Sequence, residues 1–474
     1  MTPSFYKFGE YLLYALNNTE HTVPFCLINE NPVQEIKNLS TFLPKLKSPY
    51  LLVAAAGKEI RIDDGAVRRL LQVTEDSRSG LVYADYFLEK ESGLIPRPLI
   101  DYQQGSIRDD FHFGDVLLFP TAAIKKALKK YGVLPNDPTL ALYDLRLKIS
   151  LDYQIFHIPE FLYTVTSKKE VTGNGEKKQE EAHFAYVAAP NFTRQKKLEK
   201  LATYYLKLCG AYLTARTKKA NPADTGFPVE ASIVIPVFNR RKTIEDALQS
   251  ALAQKTNFDF NIIVVDNHST DGTTKTVRIL AALNSKIQHL IPQRRNLNIG
   301  GCWNEAVYSS CCGRYAVQLD SDDFYSSPNT LQIIVDALKK GGYAMVVGSY
   351  TIVNERLQKI PPGLIDHREW TAANGHNNAL RVNGLGAPRA FNTDVLRQIG
   401  FPNVGYGEDY AVALRIAREY KIGRIYQSLY LCRRWTDNTD AALSVEKQNR
   451  NDFYKDKLRT LEIRARQKMN RKRA

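Results

Sequence analysis

Five short apolar runs in the second half of the chain determine the fold class. They read S-I-V-I-P-V-F (232–238), N-I-I-V-V-D (261–266), K-I-Q-H-L-I (286–291), Y-A-V-Q-L-D (315–320) and Y-A-M-V-V-G (343–348). Helical patterns separate most of them. Strands that are apolar throughout are typical of a mostly parallel sheet covered by helices on both faces. The sequence therefore predicts an α/β domain over residues 229–440.

Polar residues follow these runs. Asn239 and Arg240 come after the first, Asp266 ends the second, and D-S-D-D (320–323) ends the fourth. Ligands of open α/β sheets bind beyond the carboxyl ends of the strands. A single acidic residue there is often only a helix cap or a turn former. Three carboxylates within four residues repel one another, so the D-S-D-D run indicates a Mg²⁺ or Mn²⁺ site, with a purely structural acidic turn as the alternative.

The order of the motifs resembles that of the family 2 glycosyltransferases with the GT-A fold. The motifs are S-I-V-I-P-V-F-N, V-V-D-N-H-S-T-D-G-T, R-N-L-N-I-G-G-C-W-N-E-A, Q-L-D-S-D-D and G-E-D-Y. Five motifs in this order, between roughly residues 230 and 440, are far more specific than any one of them. The resemblance implies a Rossmann-like, mostly parallel sheet and transfer of a sugar from a nucleotide-sugar.

The resemblance also implies where the nucleotide binds. Pro236, Phe238 and Asn239 would line the nucleobase pocket. Asp266 would accept the imide N–H of uracil, which favours a UDP-sugar as donor.

The resemblance further implies that the D-S-D-D run binds the ribose and the diphosphate of the donor. Asp320 would face the ribose, and Asp322 would hold Mn²⁺ or Mg²⁺ on the diphosphate, with assistance from Asp323 through water. A metal at this point would neutralise the charge of the departing phosphate.

Candidate acceptor and base residues lie further along the chain. The glycine-rich segment 382–388 includes Gly386 and allows close backbone approach, although an ordinary loop is equally consistent with it. Glu408 and Asp409 open a predicted helix, where acidic residues commonly compensate the helix dipole. Inversion by direct displacement needs one carboxylate base. Asp409 is the first candidate for that base and Glu408 the alternative.

The segment C-R-R-W (432–435) resembles the Arg-Trp ending of synthase members of the family. By this resemblance Arg434 would assist the leaving diphosphate and Trp435 would shape the acceptor site. The polar residue expected earlier in that motif is replaced by Leu431, so a surface arginine pair beside a buried tryptophan is the alternative.

The first half of the chain resembles a degenerate copy of the same domain. On the register of the two halves, Ala54, Ala56 and Gly57 replace Asp320, Asp322 and Asp323, and Tyr143-Asp144 replace Glu408-Asp409. Without carboxylates this copy would hold no metal-nucleotide and would serve packing, acceptor binding or pairing of protomers in a homo-oligomer. A chance match between two α/β domains is the alternative.

Compositional breaks give the domain bounds. The polar stretch 167–182 is predicted to be an exposed loop, and N-P-A-D-T-G-F-P (221–228) a linker. The resulting organisation is a degenerate domain (1–190), a connecting helix and linker (191–228), the catalytic domain (229–440) and a basic helical tail (441–474).

The charge of +15, from 65 Lys and Arg against 50 Asp and Glu, indicates a polyanionic partner. The C-terminal run R-A-R-Q-K-M-N-R-K-R-A favours the anionic surface of a membrane. Nucleic acid ranks below this, because the sequence contains no aromatic-basic recognition module or zinc-finger spacing. The sequence shows neither a signal peptide nor a membrane span. We therefore expect a cytoplasmic protein at the inner face of the cell membrane.

Together these features predict an inverting, metal-dependent glycosyltransferase that moves a hexose or N-acetylhexosamine. The expected donor is a UDP-sugar, and the expected acceptor is a glycan or lipid-linked glycan in bacterial-type surface polysaccharide synthesis. Two alternatives are a nucleotidyltransferase, which usually carries a glycine-rich loop after its first strand, and a catalytically inactive nucleotide-sugar-binding scaffold.

Overall fold

The computed structural model describes residues 4–16, 34–166, 192–215, 217–220, 226–368, 370–435 and 443–472. The chain divides into two compact units. The first comprises Met1–Lys177, Arg194–Tyr212 and Leu443–Ala474, and the second comprises Lys178–Thr193 and Leu213–Ala442. The loop predicted at 167–182 and most of the linker at 221–228 lie outside the described residues.

Each unit contains one sheet. The strands of the first are β1 (Ser4–Phe8), β2 (Tyr11–Leu16), β3 (Gln34–Glu35), β4 (Tyr50–Ala55), β5 (Glu59–Ile62), β6 (Leu81–Lys90), β7 (Gly93–Arg97), β8 (Val116–Pro120) and β9 (Ile155–Thr166). Those of the second are β10 (Ala231–Val237), β11 (Phe260–Asp266), β12 (Ile287–Leu290), β13 (Tyr315–Gln318), β14 (Phe324–Tyr325), β15 (Met345–Val353), β16 (Lys359–Ile365), β17 (Arg389–Asn392) and β18 (Ile422–Arg433).

Helices connect the strands in both units. In chain order they are α1 (Leu39–Phe42), α2 (Asp64–Ser77), α3 (Thr121–Tyr131), α4 (Pro138–Ile149), α5 (Phe192–Leu208), α6 (Ile244–Leu252), α7 (Thr273–Leu283), α8 (Ile299–Tyr308), α9 (Thr330–Gly341), α10 (Gly375–Asn378), α11 (Thr393–Ile399), α12 (Glu408–Glu419) and α13 (Val445–Arg471).

The second sheet confirms the α/β class. Its order is β12-β11-β10-β13-β17-β15-β18-β14, with β16 paired to β15. The first four strands are parallel, whereas β17, β14 and β16 run antiparallel to their neighbours, so the sheet is mixed. All seven residues of β11 and six of seven in β10 are buried, which places packed side chains on both faces.

The first sheet repeats most of this topology. Its order is β3-β1-β2-β4-β8-β6-β9-β5, with β7 paired to β6. From β4 onward each strand has a counterpart of the same direction in the second sheet, and both long parallel pairs, β6 with β9 and β15 with β18, contain register shifts. Before β4 the two sheets no longer correspond, because β2 runs antiparallel to β4 whereas β10 runs parallel to β13. The predicted degenerate copy is therefore confirmed, without the first nucleotide-binding strands.

The strand pairing corrects the register between the two copies by one residue. Tyr50 pairs with the residue before α3, and Tyr315 pairs with the residue before α11. Aligning these two tyrosines places Ala55, Gly57 and Lys58 at the positions of the three aspartates 320, 322 and 323. The conclusion that the first copy lacks the acidic turn stands.

The predicted equivalence at the helix start is also wrong. α12 begins at Glu408, but α4 begins at Pro138, so Tyr143 and Asp144 lie more than a turn inside their helix. Asp144 forms a buried ion pair with Lys148, 2.6 Å away, and so has a structural partner within its own helix.

The C-terminal helix, predicted to form a separate tail, packs within the first unit. Asp456 of α13 accepts hydrogen bonds from Ser106 and Arg459 at 2.9 and 2.7 Å, and Gly105 donates to Thr460 at 2.8 Å. A Cβ at Gly105 would lie 2.2 Å from the Asp456 carbonyl oxygen, so the helix and this loop approach as closely as glycine permits. Among the described residues, no helix combines the length and apolar character needed to cross a membrane.

Candidate active site

The loop after β10 is tied to the loop after β11 by hydrogen bonds. Asn239 has φ 52°, a left-handed conformation in which asparagine is enriched. Its backbone N–H donates to Ser269 Oγ at 3.0 Å, and its Oδ1 accepts from the Thr270 N–H at 2.8 Å. Pro236 is half-buried at the end of β10, and Phe238 is 55% exposed. The two loops thus present an aromatic ring at the carboxyl edge of the sheet.

Asp266 lies beneath this edge, fully buried. Its carboxylate accepts hydrogen bonds from the Ser269 N–H at 3.0 Å and from Thr274 Oγ1 at 2.5 Å, and His289 Nε2 lies 3.4 Å away. Burial alone would raise the pKa of Asp266, but the hydrogen bonds with His289, Thr274 and Ser269 bring it well below its ordinary value. In this structure Asp266 organises its own loop.

The neighbouring Asn267 is a residue that the sequence analysis missed. Its Nδ2 donates to the Leu297 carbonyl at 2.9 Å. Its Oδ1 is buried and accepts no hydrogen bond from the described residues. A buried acceptor without a partner is uncommon, so this atom is a candidate ligand contact. The signal in the sequence was a second polar residue directly after Asp266, the last residue of β11.

The three aspartates of the acidic turn have different environments. Asp320 receives hydrogen bonds from Gln318 Nε2 on both oxygens, at 3.0 Å each. Asp323 is buried and accepts from the Arg433 N–H at 2.8 Å. Burial raises the pKa of both carboxyls; Arg389 opposes the rise at Asp320, and the charges of Asp320 and Asp322 add to it at Asp323.

Asp322 is partly exposed. Its side chain is 19% exposed, Trp435 Nε1 donates to Oδ2 at 3.3 Å, and Arg240 Nε lies 4.0 Å from the same oxygen. Trp435 therefore lies at the acidic turn. The buried arginine beside this turn is Arg433, which donates to the Asp322 carbonyl at 2.9 Å.

Arg434 directly follows β18, and its backbone N–H donates to the Val353 carbonyl at 2.7 Å. Its role at a leaving diphosphate stays a prediction. Gly386 has φ 89°, and a Cβ there would lie 2.5 Å from His367, so glycine is needed at this position.

Glu408 and Asp409 open α12 as predicted, and their environments differ. Glu408 is buried, and burial followed by the charge of Asp409 raises its pKa to about 8. Asp409 is 25% exposed and forms an ion pair with Arg389 through Oδ2. Glu408 therefore keeps its proton to higher pH than an ordinary glutamate, while Asp409 is the partly exposed member of the pair and has the arginine as its partner.

Gln318 joins the two acidic groups. Its Nε2 donates to Asp320, and its Oε1 accepts from the Arg389 backbone N–H at 3.1 Å. The Arg389 side chain then reaches Asp409. Sequence analysis had assigned no function to Gln318 or Arg389, although two adjacent acidic residues at a buried helix start require a cation nearby.

Residues 232–399 match the family model described as glycosyl transferase family 2. These residues form a family 2 glycosyltransferase domain. The domain extends from β10 to the end of α11. It contains Phe238, Asn267, Asp322 and Arg389, whereas Asp409 lies beyond the matched span.

Curated relatives of the family 2 domain carry matching names. The chain is 26% identical over 202 residues to an uncharacterized glycosyltransferase of Rickettsia felis, covering 42% of this chain and 32% of that protein. It is 35% identical over 109 residues to chondroitin synthase of Escherichia coli, covering 23% of this chain and 15% of the synthase. The chain thus spans about a third or less of the length of these relatives.

Two solved structures are similar to parts of the chain. S. aureus TarS 1-349 in complex with UDP-GlcNAc is 20% identical with a TM-score of 0.39, covering 49% of this chain and 66% of that one. The mannosyltransferase PcManGT from Pyrobaculum calidifontis, in complex with GDP-Man and Mn²⁺, is 18% identical with a TM-score of 0.35, covering 60% and 85%.

The metal-binding side chains of the family 2 domain suit a divalent cation that is held mainly by the phosphates of a substrate. The described residues contain no cluster of three or more His, Cys, Asp or Glu side chains able to hold a metal. Mg²⁺ commonly binds through one or two carboxylates, with substrate phosphates and waters filling the remaining positions. Asp322 supplies one open carboxylate, so the residues present fit a metal that arrives with a diphosphate.

Proposed function

We propose that the second unit is an inverting, metal-dependent glycosyltransferase. It moves a sugar from a nucleotide-sugar, with UDP-sugars as the first choice, to a hydroxyl of a glycan or lipid-linked glycan. The observation that carries the proposal is the connection of Asp322's acidic turn to Asp409 through Gln318 and Arg389. Such a connection fixes donor and base residues at one edge of the sheet.

At the nucleotide end, Phe238 offers a ring on which the base would stack. Asn267 Oδ1 is our candidate acceptor for the imide N–H of uracil, in place of Asp266, whose carboxylate is already engaged. Pro236 and Asn239 would line the rest of the nucleobase pocket. Asp320, held by Gln318, is proposed to face the ribose.

At the diphosphate end, Asp322 would hold Mn²⁺ or Mg²⁺. When bound, the ion stabilises the negative charge that develops on the leaving diphosphate. Trp435 orients the Asp322 carboxylate through its indole N–H, and Arg240 lies close enough to contribute positive charge. Arg434 remains a proposed contact of the leaving group.

At the acceptor end, Asp409 would remove the proton of the attacking hydroxyl. The acceptor oxygen forms a bond to the anomeric carbon while the bond from that carbon to the diphosphate oxygen breaks. The proton passes to Asp409 and the electron pair leaves with UDP. One displacement with one base inverts the anomeric configuration. Gly386 and Trp435 are the proposed acceptor neighbours.

The match to chondroitin synthase supports a polysaccharide acceptor, as does the resemblance to synthase members of the family. The sugar is proposed to be a hexose or N-acetylhexosamine. The degenerate first unit is proposed to assist acceptor binding or pairing of protomers.

The test is release of UDP from a panel of UDP-sugars by the full chain with Mn²⁺ and a glycan acceptor. We expect Asp322→Asn to lose Mn²⁺-dependent UDP binding, and Asp409→Asn to bind UDP normally but lose transfer. Asp336→Asn, an exposed residue of α9, is the matched control and should retain both. Normal UDP binding by Asp322→Asn would refute the metal assignment, and normal transfer by Asp409→Asn would refute the base assignment. Release of sugar 1-phosphate instead of UDP would show transfer of the uridylyl group and would indicate a nucleotidyltransferase.

A further inference from the structure

The C-terminal helix α13 separates its charges between two faces. Asp456 and Glu462 point inward, where they pair with Arg459 and Arg466 at 2.7 Å each. All four side chains are buried. Apart from Glu446 at its first turn, the fully exposed charges of α13 are basic. They are three, four or seven residues apart, at Lys447, Arg450, Lys457, Arg464, Lys468 and Arg471.

Apolar side chains lie within the same exposed face. Phe453 is 37% exposed and Leu461 is 54% exposed, and both follow the spacing of the basic residues. Residues three or four apart lie on one side of a helix, so cations and apolar groups share one stripe about 40 Å long.

A second helix of the first unit has a similar face. α5 exposes Lys197, Lys200 and Lys207, with Tyr204 at 43% and Leu208 at 37% exposure between or beside them.

The C-terminal ends of the two helices meet. Gln467 of α13 donates to the Cys209 carbonyl at 2.6 Å, and Asn470 donates to the Gly210 carbonyl at 2.9 Å. The two helices are therefore in contact at their C-terminal ends within one unit.

We propose that the exposed faces of α5 and α13 form a surface that binds anionic phospholipid bilayers. Basic residues near such a membrane are attracted to its headgroups. Apolar side chains between the cations insert at the boundary of the headgroups and acyl chains, as in helices that lie in the membrane interface. Of these four exposed apolar side chains, Phe453 and Tyr204 are aromatic and Leu461 and Leu208 are aliphatic. The leucines offer no ring on which a base could stack but insert readily among acyl chains, so the surface favours lipid over nucleic acid. The proposal is independent of the sugar-transfer chemistry.

The experiment is flotation of the full chain with vesicles of phosphatidylcholine alone or mixed with phosphatidylglycerol. We expect binding to the mixed vesicles, weak binding to phosphatidylcholine, and a loss of binding as salt increases. Equal binding to both kinds of vesicle would overturn the proposal.

Three substitutions locate the surface. The combined variant Arg450→Glu, Lys457→Glu and Arg464→Glu should lower partitioning into mixed vesicles by roughly a hundredfold, since each basic residue near the surface contributes about fivefold. The matched control, Lys45→Glu with Lys47→Glu and Lys129→Glu, makes the same change in net charge at exposed lysines outside the two helices. It should bind like the unmodified chain. An equal loss in the control would show that net charge alone is responsible, and would overturn the proposal.

Leu461→Ser tests the apolar contribution without a change of charge. It should weaken binding to mixed vesicles severalfold and leave the thermal unfolding of the chain nearly unchanged, because Leu461 is mostly exposed. Unchanged vesicle binding by this variant would contradict insertion into the bilayer. Displacement of the chain from vesicles by short duplex DNA at equal phosphate concentration would assign the surface to nucleic acid instead.

Discussion

The guanidinium of Arg389 forms an ion pair with the carboxylate of Asp409, and this contact distinguishes the two acidic residues that open α12. Asp409 faces solvent in part, whereas Glu408 beside it is buried. Adjacent carboxylates in a buried setting do not both ionise easily, so the arginine favours charge on one of them. The result is one carboxyl group that is partly exposed and paired with an arginine, beside one buried carboxyl group whose pKa is raised.

The raised pKa of Glu408 predicts a stability that falls as pH increases. In the folded state the pKa of the Glu408 carboxyl is about 8, whereas in the unfolded chain the carboxyl has its ordinary pKa of 4.5. Between these values the folded state binds more protons, so stability is full below about pH 4.5 and is lost toward pH 8. Each unit of difference in pKa corresponds to about 1.4 kcal/mol, so the free energy of unfolding falls by at most about 5 kcal/mol over this pH range.

Glu408→Gln should remove this dependence, because the amide stays neutral. We expect the variant to be more stable than the parent at about pH 9 and similar at about pH 4, as measured by thermal unfolding. Glu355→Gln, at an exposed position, is the control and should follow the parent. Parallel pH profiles for Glu408→Gln and the parent would contradict the buried, protonated state.

Substitution of Arg389 should change how activity depends on pH. Arg389→Ala removes the counter-ion of Asp409, and a carboxylate without its cation takes up protons more readily. The acidic limb of the kcat profile should therefore move to higher pH, with a loss of about 3 kcal/mol or more of stability from the unpaired charge. Arg389→Lys keeps the charge and should restore much of the profile. An unshifted limb in Arg389→Ala would argue that Asp409 is not the base.

Gly300 packs against the segment that leads to Asp409, the proposed base. A Cβ at Gly300 in α8 would lie 1.9 Å from the Pro402 carbonyl oxygen and 3.1 Å from Glu408 Cβ. Gly300→Ala should cost about 1–3 kcal/mol of stability, because backbone must move to admit the methyl group. It should also lower kcat, since residues 402–408 lead directly into α12.

Gly384→Ala is the matched control for stability. A Cβ there meets nothing within 4 Å. We expect its melting temperature to stay close to that of the parent, and equal melting temperatures for both variants would contradict the close packing of α8.

The sequence was sufficient for the fold class and for the acidic turn, because β-branched runs and the D-S-D-D cluster are local signals. It was insufficient for the register of the two copies. The run A-A-A-G (54–57) contains three identical residues, so only the pairing of Tyr50 with Pro120 shows which alanine matches Asp320.

The sequence also did not predict the roles of residues that contact each other across the sheet. Gln318 and Arg389 are 71 residues apart, and their contact is made only when β13 and β17 pair. The sequence did contain a sign of the buried face of α13. Asp456 with Arg459 and Glu462 with Arg466 have the spacing of helical ion pairs. The abundance of basic residues at the end of the chain concealed that pattern.

Asn267 provides a test of the nucleobase contact. If its Oδ1 accepts the imide N–H of uracil, the parent should bind UDP more tightly than CDP, because cytosine lacks that donor. Asn267→Ala should weaken UDP binding by roughly fivefold to tenfold, the effect of one hydrogen bond, and should remove the preference over CDP. Isothermal titration with both nucleotides in the presence of Mn²⁺ measures this, with Asn257→Ala at an exposed position as the control. If Asn267→Ala still prefers UDP to CDP, Asn267 is not the uracil contact. Asp266 would then be the residue that recognises uracil, and the hydrogen bonds of the Asp266 carboxylate would have to rearrange when the nucleotide binds.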